Sequence, residues 1–194
     1  MSAPAAQEAD GQPAGATEAS LPVYLVRHAH AVSRELWKGS DKHRPLTDRG
    51  AKQAQALASR FGVLADRTGP KRAPTAGRGI EPRPGLLVSS GAERCLATLR
   101  PLAAGCELPI VLAGYLSEGS DPDEVLLQLK ELASSAPVAV LCSHGDVIIG
   151  VVDILKAAGT PFSGQVDVKK GSIVVLETRS GSVESVRYVP PDKV

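Results

Sequence analysis

Arg27-His28, Arg94 and His144 are the side chains best suited to chemistry in this 194-residue chain. Each lies just past a short apolar run. Val23-Tyr24-Leu25-Val26 leads directly into Arg27-His28, and Leu86-Leu87-Val88 precedes Ser89-Ser90-Gly91-Ala92-Glu93-Arg94. Pro137-Val138-Ala139-Val140-Leu141 precedes Cys142-Ser143-His144-Gly145-Asp146. A guanidinium is a planar fork that clamps an oxyanion through two parallel hydrogen bonds. An imidazole, whose unperturbed pKa is ~6.5, is a competent nucleophile and proton shuttle near neutrality. Transfer of a phosphoryl group needs such a set: a clamp for a dianion, a nucleophile, and a proton for the leaving oxygen.

Short apolar runs bounded by polar residues read as buried strands of a parallel sheet. Ligands in open α/β sheets bind beyond the carboxyl ends of the strands, where all these residues fall. The first strand is expected at 22–27. Thr47 reads as a helix N-cap, and Ala54, Leu57, Ala58 and Phe61 recur at helical spacing, which predicts a helix near 48–61. A strand at Leu86-Leu87-Val88 is followed by a helix from Gly91 to about Leu102, which Pro101 should kink or end. Arg94 lies in its first turn, where free backbone N–H groups favour an anion; the residue pattern alone also allows a surface helix arginine. Pro109 to Leu112 reads as a strand. Asp121, Pro122, Asp123 and Glu124 make a helix start of cap, proline and acids. A helix over 145–157, closed by Gly159, follows the strand ending near Leu141. A Gly/Pro-rich loop is expected at 160–171, then strands at 172–176 and 183–189 joined by a turn at Ser180-Gly181. Strands alternating with helices give an α/β class, a three-layer α/β/α sandwich with a mostly parallel central sheet.

Two stretches stand apart. Residues 1–20 are Ala, Gly, Pro, Gln and acids without periodicity, and are expected to be a disordered tail. The domain proper is then 21–194. Within it, 62–85 is a basic Gly/Pro-rich loop that reads either as a cover for an anionic substrate or as an insertion without a role.

Composition excludes several classes. The net charge of +1 gives no long-range attraction for nucleic acid or an acidic membrane surface. No run of ~18 apolar residues is present, so no membrane span is expected; an N-terminus without a basic, apolar start predicts no secretory signal. The 3 cysteines have no metal-ligand spacing and fit a reduced, cytoplasmic setting. His28 and His30 point to the same side of an extended strand, but no further ligand set completes a metal site.

The segments Arg27-His28-Ala29, Ser89 to Thr98 and Cys142 to Ile148, with Arg44-Pro45-Leu46-Thr47 and Gln53-Ala54, resemble the histidine phosphatase (phosphoglycerate mutase-like) superfamily. The resemblance spans roughly 21–178. It implies that fold and a metal-independent, cofactor-free phosphatase acting through a phosphohistidine on His28. Arg27 and Arg94 match the phosphate clamp, His144 the second histidine, and Glu118 in Leu-Ser-Glu-Gly the general acid, with Asp121 as a rival. Arg44 and His30 are further candidates for substrate binding. Cys95 and Arg100 do not reproduce the Cys-x5-Arg of cysteine-based phosphatases, because only four residues intervene. Within the superfamily the chain resembles SixA-type phosphohistidine phosphatases and the phosphatase-like domain of actinobacterial Nudix hydrolases. Trp37 and Lys170-Gly171-Ser172 fit the second group, although no Nudix motif is present. The expected partners are a phosphorylated small molecule, a nucleotide or a phosphohistidine protein. A phosphoglycerate-type mutase is the alternative enzyme, disfavoured by the short region after Glu118. A catalytically weak phosphate-binding regulatory module is the alternative from another class.

Overall fold

Val23–Arg27 forms β1, and its alternation sets up the whole molecule. Tyr24 and Val26 point into one core, Val23 and Leu25 into another. A strand apolar on both faces must be covered on both, which requires helices above and below. The computed structural model describes residues 21–63, 81–135 and 138–194. The proposed N-terminal tail and positions 64–80 of the basic loop lie outside the described residues.

The other strands are β2 (Leu86–Ser89), β3 (Ile110–Leu112), β4 (Ala139–Ser143), β5 (Phe162–Ser163), β6 (Ile173–Arg179) and β7 (Ser182–Val189). The helices are α1 (Asp48–Arg60), α2 (Glu93–Cys106), α3 (Pro122–Ser135) and α4 (Gly145–Ala157). One sheet runs in the order β3-β2-β4-β1-β6-β7-β5. The pairs β1·β4, β2·β4, β2·β3 and β5·β7 are parallel, while β1·β6 and β6·β7 are antiparallel. The layered, mostly parallel architecture expected from the sequence is therefore present. Leu57 of α1 and Leu99 of α2 pack with Tyr24 and Val140 on one face. Val125 of α3 and Ile148 of α4 pack with Leu25 and Leu141 on the other. Connections running to one side of β1 use one face and those returning use the other, as right-handed crossovers require.

Local signals account for most boundaries. Thr47 Oγ1 accepts the Gly50 N–H and caps α1. Asp121 Oδ1 accepts the Asp123 N–H at the start of α3. Ser180 and Gly181, both at positive φ, make the β6–β7 turn.

Two expectations need correcting. Pro101 does not end the helix near Leu102: α2 continues to Cys106 and stops where Glu107 turns left-handed at φ 58°. A mid-helix proline costs ~3 kcal/mol, but Leu99, Leu102 and Cys106 are all buried, and each leucine alone returns ~1.5–3 kcal/mol. The 160–171 loop is also not wholly irregular, because Phe162–Ser163 pairs with Val186 and Arg187 as β5. Among the described residues no helix is long and apolar enough to cross a membrane.

Candidate active site

The end of β1 sets His28 between its neighbours. Its N–H bonds the Ser143 carbonyl of β4 at 3.0 Å, and the Ala29 N–H bonds Thr98 Oγ1 of α2 at 2.9 Å. The His28 ring is buried, 5% exposed. Its Nδ1 lies 2.8 Å from the Ala29 carbonyl oxygen. A carbonyl only accepts, so Nδ1 carries the proton and Nε2 holds the free lone pair. Burial, reinforced by His144, Arg94 and Arg27, pushes the imidazole down to about 3 against the opposing pull of the Ala29 carbonyl. The His28 ring is thus held neutral and in a fixed tautomer at physiological pH.

Arg27 runs alongside. Its Nη1 donates to the Val168 carbonyl at 2.6 Å, while its Nε is buried without an acceptor. Gly145, first residue of α4, makes room for this guanidinium: a Cβ there would fall 2.7 Å from Arg27 Cζ. Arg94 is 2% exposed in the first turn of α2, which removes the surface-arginine reading. Its Nη1 donates to Asp41 Oδ2 at 2.9 Å and to the Asp41 carbonyl at 3.0 Å. Its Nη2 donates to Glu118 Oε2 at 2.8 Å and to His144 Nδ1 at 3.1 Å. Its Nε, like that of Arg27, has no acceptor among the described residues. Because Arg94 donates to His144 Nδ1, the other nitrogen carries the His144 proton, and Nε2 donates to Ser90 Oγ at 3.0 Å. The His28 and His144 rings meet edge to face, centroids 5.5 Å apart.

Glu118 is held by its loop. Ser143 Oγ donates to the Leu116 carbonyl at 2.8 Å and the Gly119 N–H donates to Asp146 Oδ2 at 2.7 Å. Its carboxylate also receives both Oε contacts of Arg34 Nη2 at 2.7 Å. As arranged it is an acceptor. Asp121, by contrast, caps α3 and does not line the cavity.

A cavity of about 580 Å³ is lined by Arg27, His28, Arg94, His144, Glu118 and Arg44, together with Arg34 and Lys170. Arg44 is buried and donates to Asp41 Oδ1 at 2.9 Å and the Val32 carbonyl at 2.8 Å. His30 is the expected residue that does not join them. Its Nδ1 pairs with Thr47 Oγ1 at 2.8 Å, its N–H with Gln53 Oε1 at 2.8 Å, and its ring is not part of the cavity lining. Trp37 is likewise spent locally, donating to the Ser40 carbonyl at 2.9 Å. Among the described residues no group of three His, Cys, Asp or Glu side chains is placed to hold a metal ion.

The sequence reading overlooked Asp41. One carboxylate gathers three guanidiniums: Arg34 (3.1 Å), Arg44 (2.9 Å) and Arg94 (2.9 Å). Partial burial pushes this carboxyl up, but the three arginines together hold it below its usual range. Its spacing from Arg44 across a 3-10 turn, Asp41–His43, was the available signal.

A profile of the histidine phosphatase superfamily (branch 1) matches residues 23–120. The chain belongs to this superfamily. Members similar to it include the 8-oxo-(d)GTP phosphatase of Mycolicibacterium smegmatis, 28% identical over 175 residues, which are 88% of this chain and 49% of the relative. The chain thus spans about half the length of that curated relative. Among solved histidine phosphatase structures, SixA of Nakamurella multipartitia superposes with a TM-score of 0.61 at 22% identity, covering 92% of this chain and 96% of the other. SixA of Agrobacterium tumefaciens gives 0.56 at 22% identity, covering 88% and 96%. At such identities the structural likeness speaks for the shared fold.

Proposed function

We propose that the chain is a metal-independent phosphatase that hydrolyses phosphomonoesters or phosphohistidine through a phosphohistidine on His28 Nε2. One observation carries this reading. A neutral imidazole with its lone pair fixed on Nε2 is flanked by Arg27 and Arg94, whose Nε–H groups are buried without protein acceptors. Orphaned donors of this kind are rare and call for a partner, and a phosphoryl oxygen is the acceptor that a guanidinium fork fits best.

In the proposed step, the Nε2 lone pair forms a bond to phosphorus as the ester P–O bond breaks. The leaving oxygen takes a proton from Glu118 in its acid form, once that side chain has let go of Arg94 Nη2. The freed Arg94 then turns to the phosphoryl oxygens, and His144 Nδ1, released from Arg94, can take up a proton and donate to the same group. Water then attacks phosphorus while Glu118, now a carboxylate, takes its proton; the P–N bond breaks with its electron pair returning to His28 Nε2, yielding phosphate and free His28. Only three residues separate Glu118 from Pro122 at the start of α3, so no insertion is available there to seal the cavity. That openness favours release to water over the retention a mutase requires. The nucleotide activity of the mycobacterial relative supports including nucleotides among the phosphomonoesters to be tried.

The test is turnover of p-nitrophenyl phosphate under excess chelator, with an alkaline denaturing quench of a radiolabelled phosphoester reaction to trap label on the protein. The expected result is chelator-resistant turnover and an acid-labile, alkali-stable phosphoryl adduct, both lost in His28→Ala. Undiminished turnover in that variant would overturn the reading. Phosphate binding without turnover on any phosphoester or phosphohistidine peptide would leave a binding module instead.

A further inference from the structure

The cavity holds a cation that the mechanism above does not use. Lys170 lines it beside Arg27, His28, Arg44 and Arg94. Three of the arginines there are committed to carboxylates: Arg34, Arg44 and Arg94 share Asp41 and Glu118. Arg27 is tied to the Val168 carbonyl. Lys170 alone among these cations has no hydrogen-bonded or ion-paired partner among the described residues. Its surroundings push its amine below the usual lysine range, first through burial and then through Arg27, Arg44 and Arg94. The carboxylates of the site are paired with its arginines, and none is paired with Lys170 among the described residues.

The backbone that carries Lys170 is strapped to the end of β1 at every turn. Gln53 Nε2 donates to the Lys170 carbonyl at 3.0 Å, and Gln53 Oε1 accepts from the His30 N–H at 2.8 Å. One glutamine therefore bridges the Lys170 loop and the loop after His28. Gly171, at φ 82°, directs its N–H to the carbonyls of Arg27 and His28, each at 3.1 Å. The Arg27 N–H donates to the Ser172 carbonyl at 3.0 Å. A positive φ and four anchors fix the main chain from the Lys170 carbonyl to Ser172, beside a side chain that itself has no partner among the described residues.

We infer that Lys170 is a substrate-contacting residue, its ammonium donating to an oxygen of the phosphoryl group that His28 attacks. The inference rests on the phosphatase reading of this cavity and names a residue beyond the two arginines and second histidine of that reading. The loop is pinned so that the ammonium reaches the phosphoryl group without a search, and the repulsion it suffers from the arginines is relieved when the dianion arrives.

The probe is inorganic phosphate, followed by calorimetry on the wild type, Lys170→Met and Lys170→Arg, with pyrophosphate as a parallel ligand. Loss of one charge-assisted hydrogen bond predicts weaker phosphate binding in Lys170→Met by about 10–100-fold. Lys170→Arg should recover most of that loss while unliganded melting temperatures stay close to wild type. Lys170→Met binding phosphate as well as wild type overturns the inference while leaving the phosphatase reading intact. A loss confined to pyrophosphate also overturns it, because Lys170 would then serve a second anionic group. A wild type that binds no phosphate removes the underlying reading, and this inference with it. Equal loss in Lys170→Met and Lys170→Arg, with lowered melting temperatures, would make the residue structural and also overturn it.

Discussion

Two arginine–carboxylate clusters occupy this molecule, and they are built to opposite ends. In one, Glu81 is enclosed: its carboxylate, 4% exposed, receives Arg60 at 2.7 Å, Arg187 at 3.1 Å and the Tyr24 hydroxyl at 2.7 Å. Arg60 also reaches the Lys193 carbonyl at 2.6 Å. Burial and the Glu81 carboxylate drive the Tyr24 phenol far above its usual range. In the other, the cation is enclosed and the carboxylates are open. Arg94 is 2% exposed, and Asp41 and Glu118 are each 42% exposed. Among the described residues, the buried, unsatisfied side-chain atoms are Arg27 Nε, Arg94 Nε and Ser172 Oγ; Arg94 is the centre of this second cluster, and Arg27 lines the same cavity. A closed, fully bonded cluster ties α1, β1, β7 and Glu81 of the basic loop into one body. A cluster with solvent-reachable acids and orphaned donors is arranged to exchange partners.

The largest expected separation comes from removing the centre of each. His28→Ala should lower phosphoester turnover by about 10⁴-fold or more, as loss of a nucleophile does in comparable systems. Its urea midpoint should move little. Glu81→Ala should do the reverse. Leaving Arg60 buried and unpaired costs about 3–5 kcal/mol, read as a lower urea midpoint, with turnover per folded molecule preserved. Loss of activity without loss of stability in Glu81→Ala would erase the contrast.

Asp41→Asn sharpens the comparison at a smaller scale. It leaves side-chain shape but weakens the hold on Arg34, Arg44 and Arg94 together. Misplacing a preorganised donor typically costs about 10²-fold in rate, so kcat should fall by roughly that factor. Asp41 is 42% exposed, so water screens its ion pairs in part, although Arg44 and Arg94 are themselves buried. The melting temperature should therefore fall less than in Glu81→Ala. A large stability loss with normal kcat would place Asp41 with Glu81 as a structural acid.

What the sequence revealed follows the same division. Arg27, His28, Arg94 and His144 are legible because each sits at a strand end or in the first turn of the following helix. Local sequence alone fixes such junctions. Asp41, Arg34 and Lys170 were not legible as a group, because irregular segments place them. Lys170 depends on a hydrogen bond to Gln53, 117 residues away, and no periodicity records such a contact. His30 was read as facing the same pocket as His28 because residues two apart share a strand face. But β1 ends at Arg27, so the alternation no longer holds, and Thr47 captures the ring. β5 is two residues long and exists through its pairing with β7, below what any propensity argument resolves.

The smallest effect concerns acid, and it too separates the clusters. The native His28 pKa of about 3 lies well below the ~6.5 of an unfolded chain. Between these values the unfolded state binds a proton that the native state refuses, so this histidine's contribution falls as pH drops through that window. The limiting slope is about 1.4 kcal/mol per pH unit. His28→Gln removes it, so wild type should lose stability relative to the variant from pH 7 towards pH 4.5 by urea unfolding. The Glu81 cluster acts through a carboxyl held low, after burial, by Arg187, Tyr24 and Arg60. Its contribution is present above the unfolded carboxylate range and is lost as pH falls below that range through the depressed value. A slope at pH 5–6.5 that survives His28→Gln would mean that a group outside the nucleophile controls it.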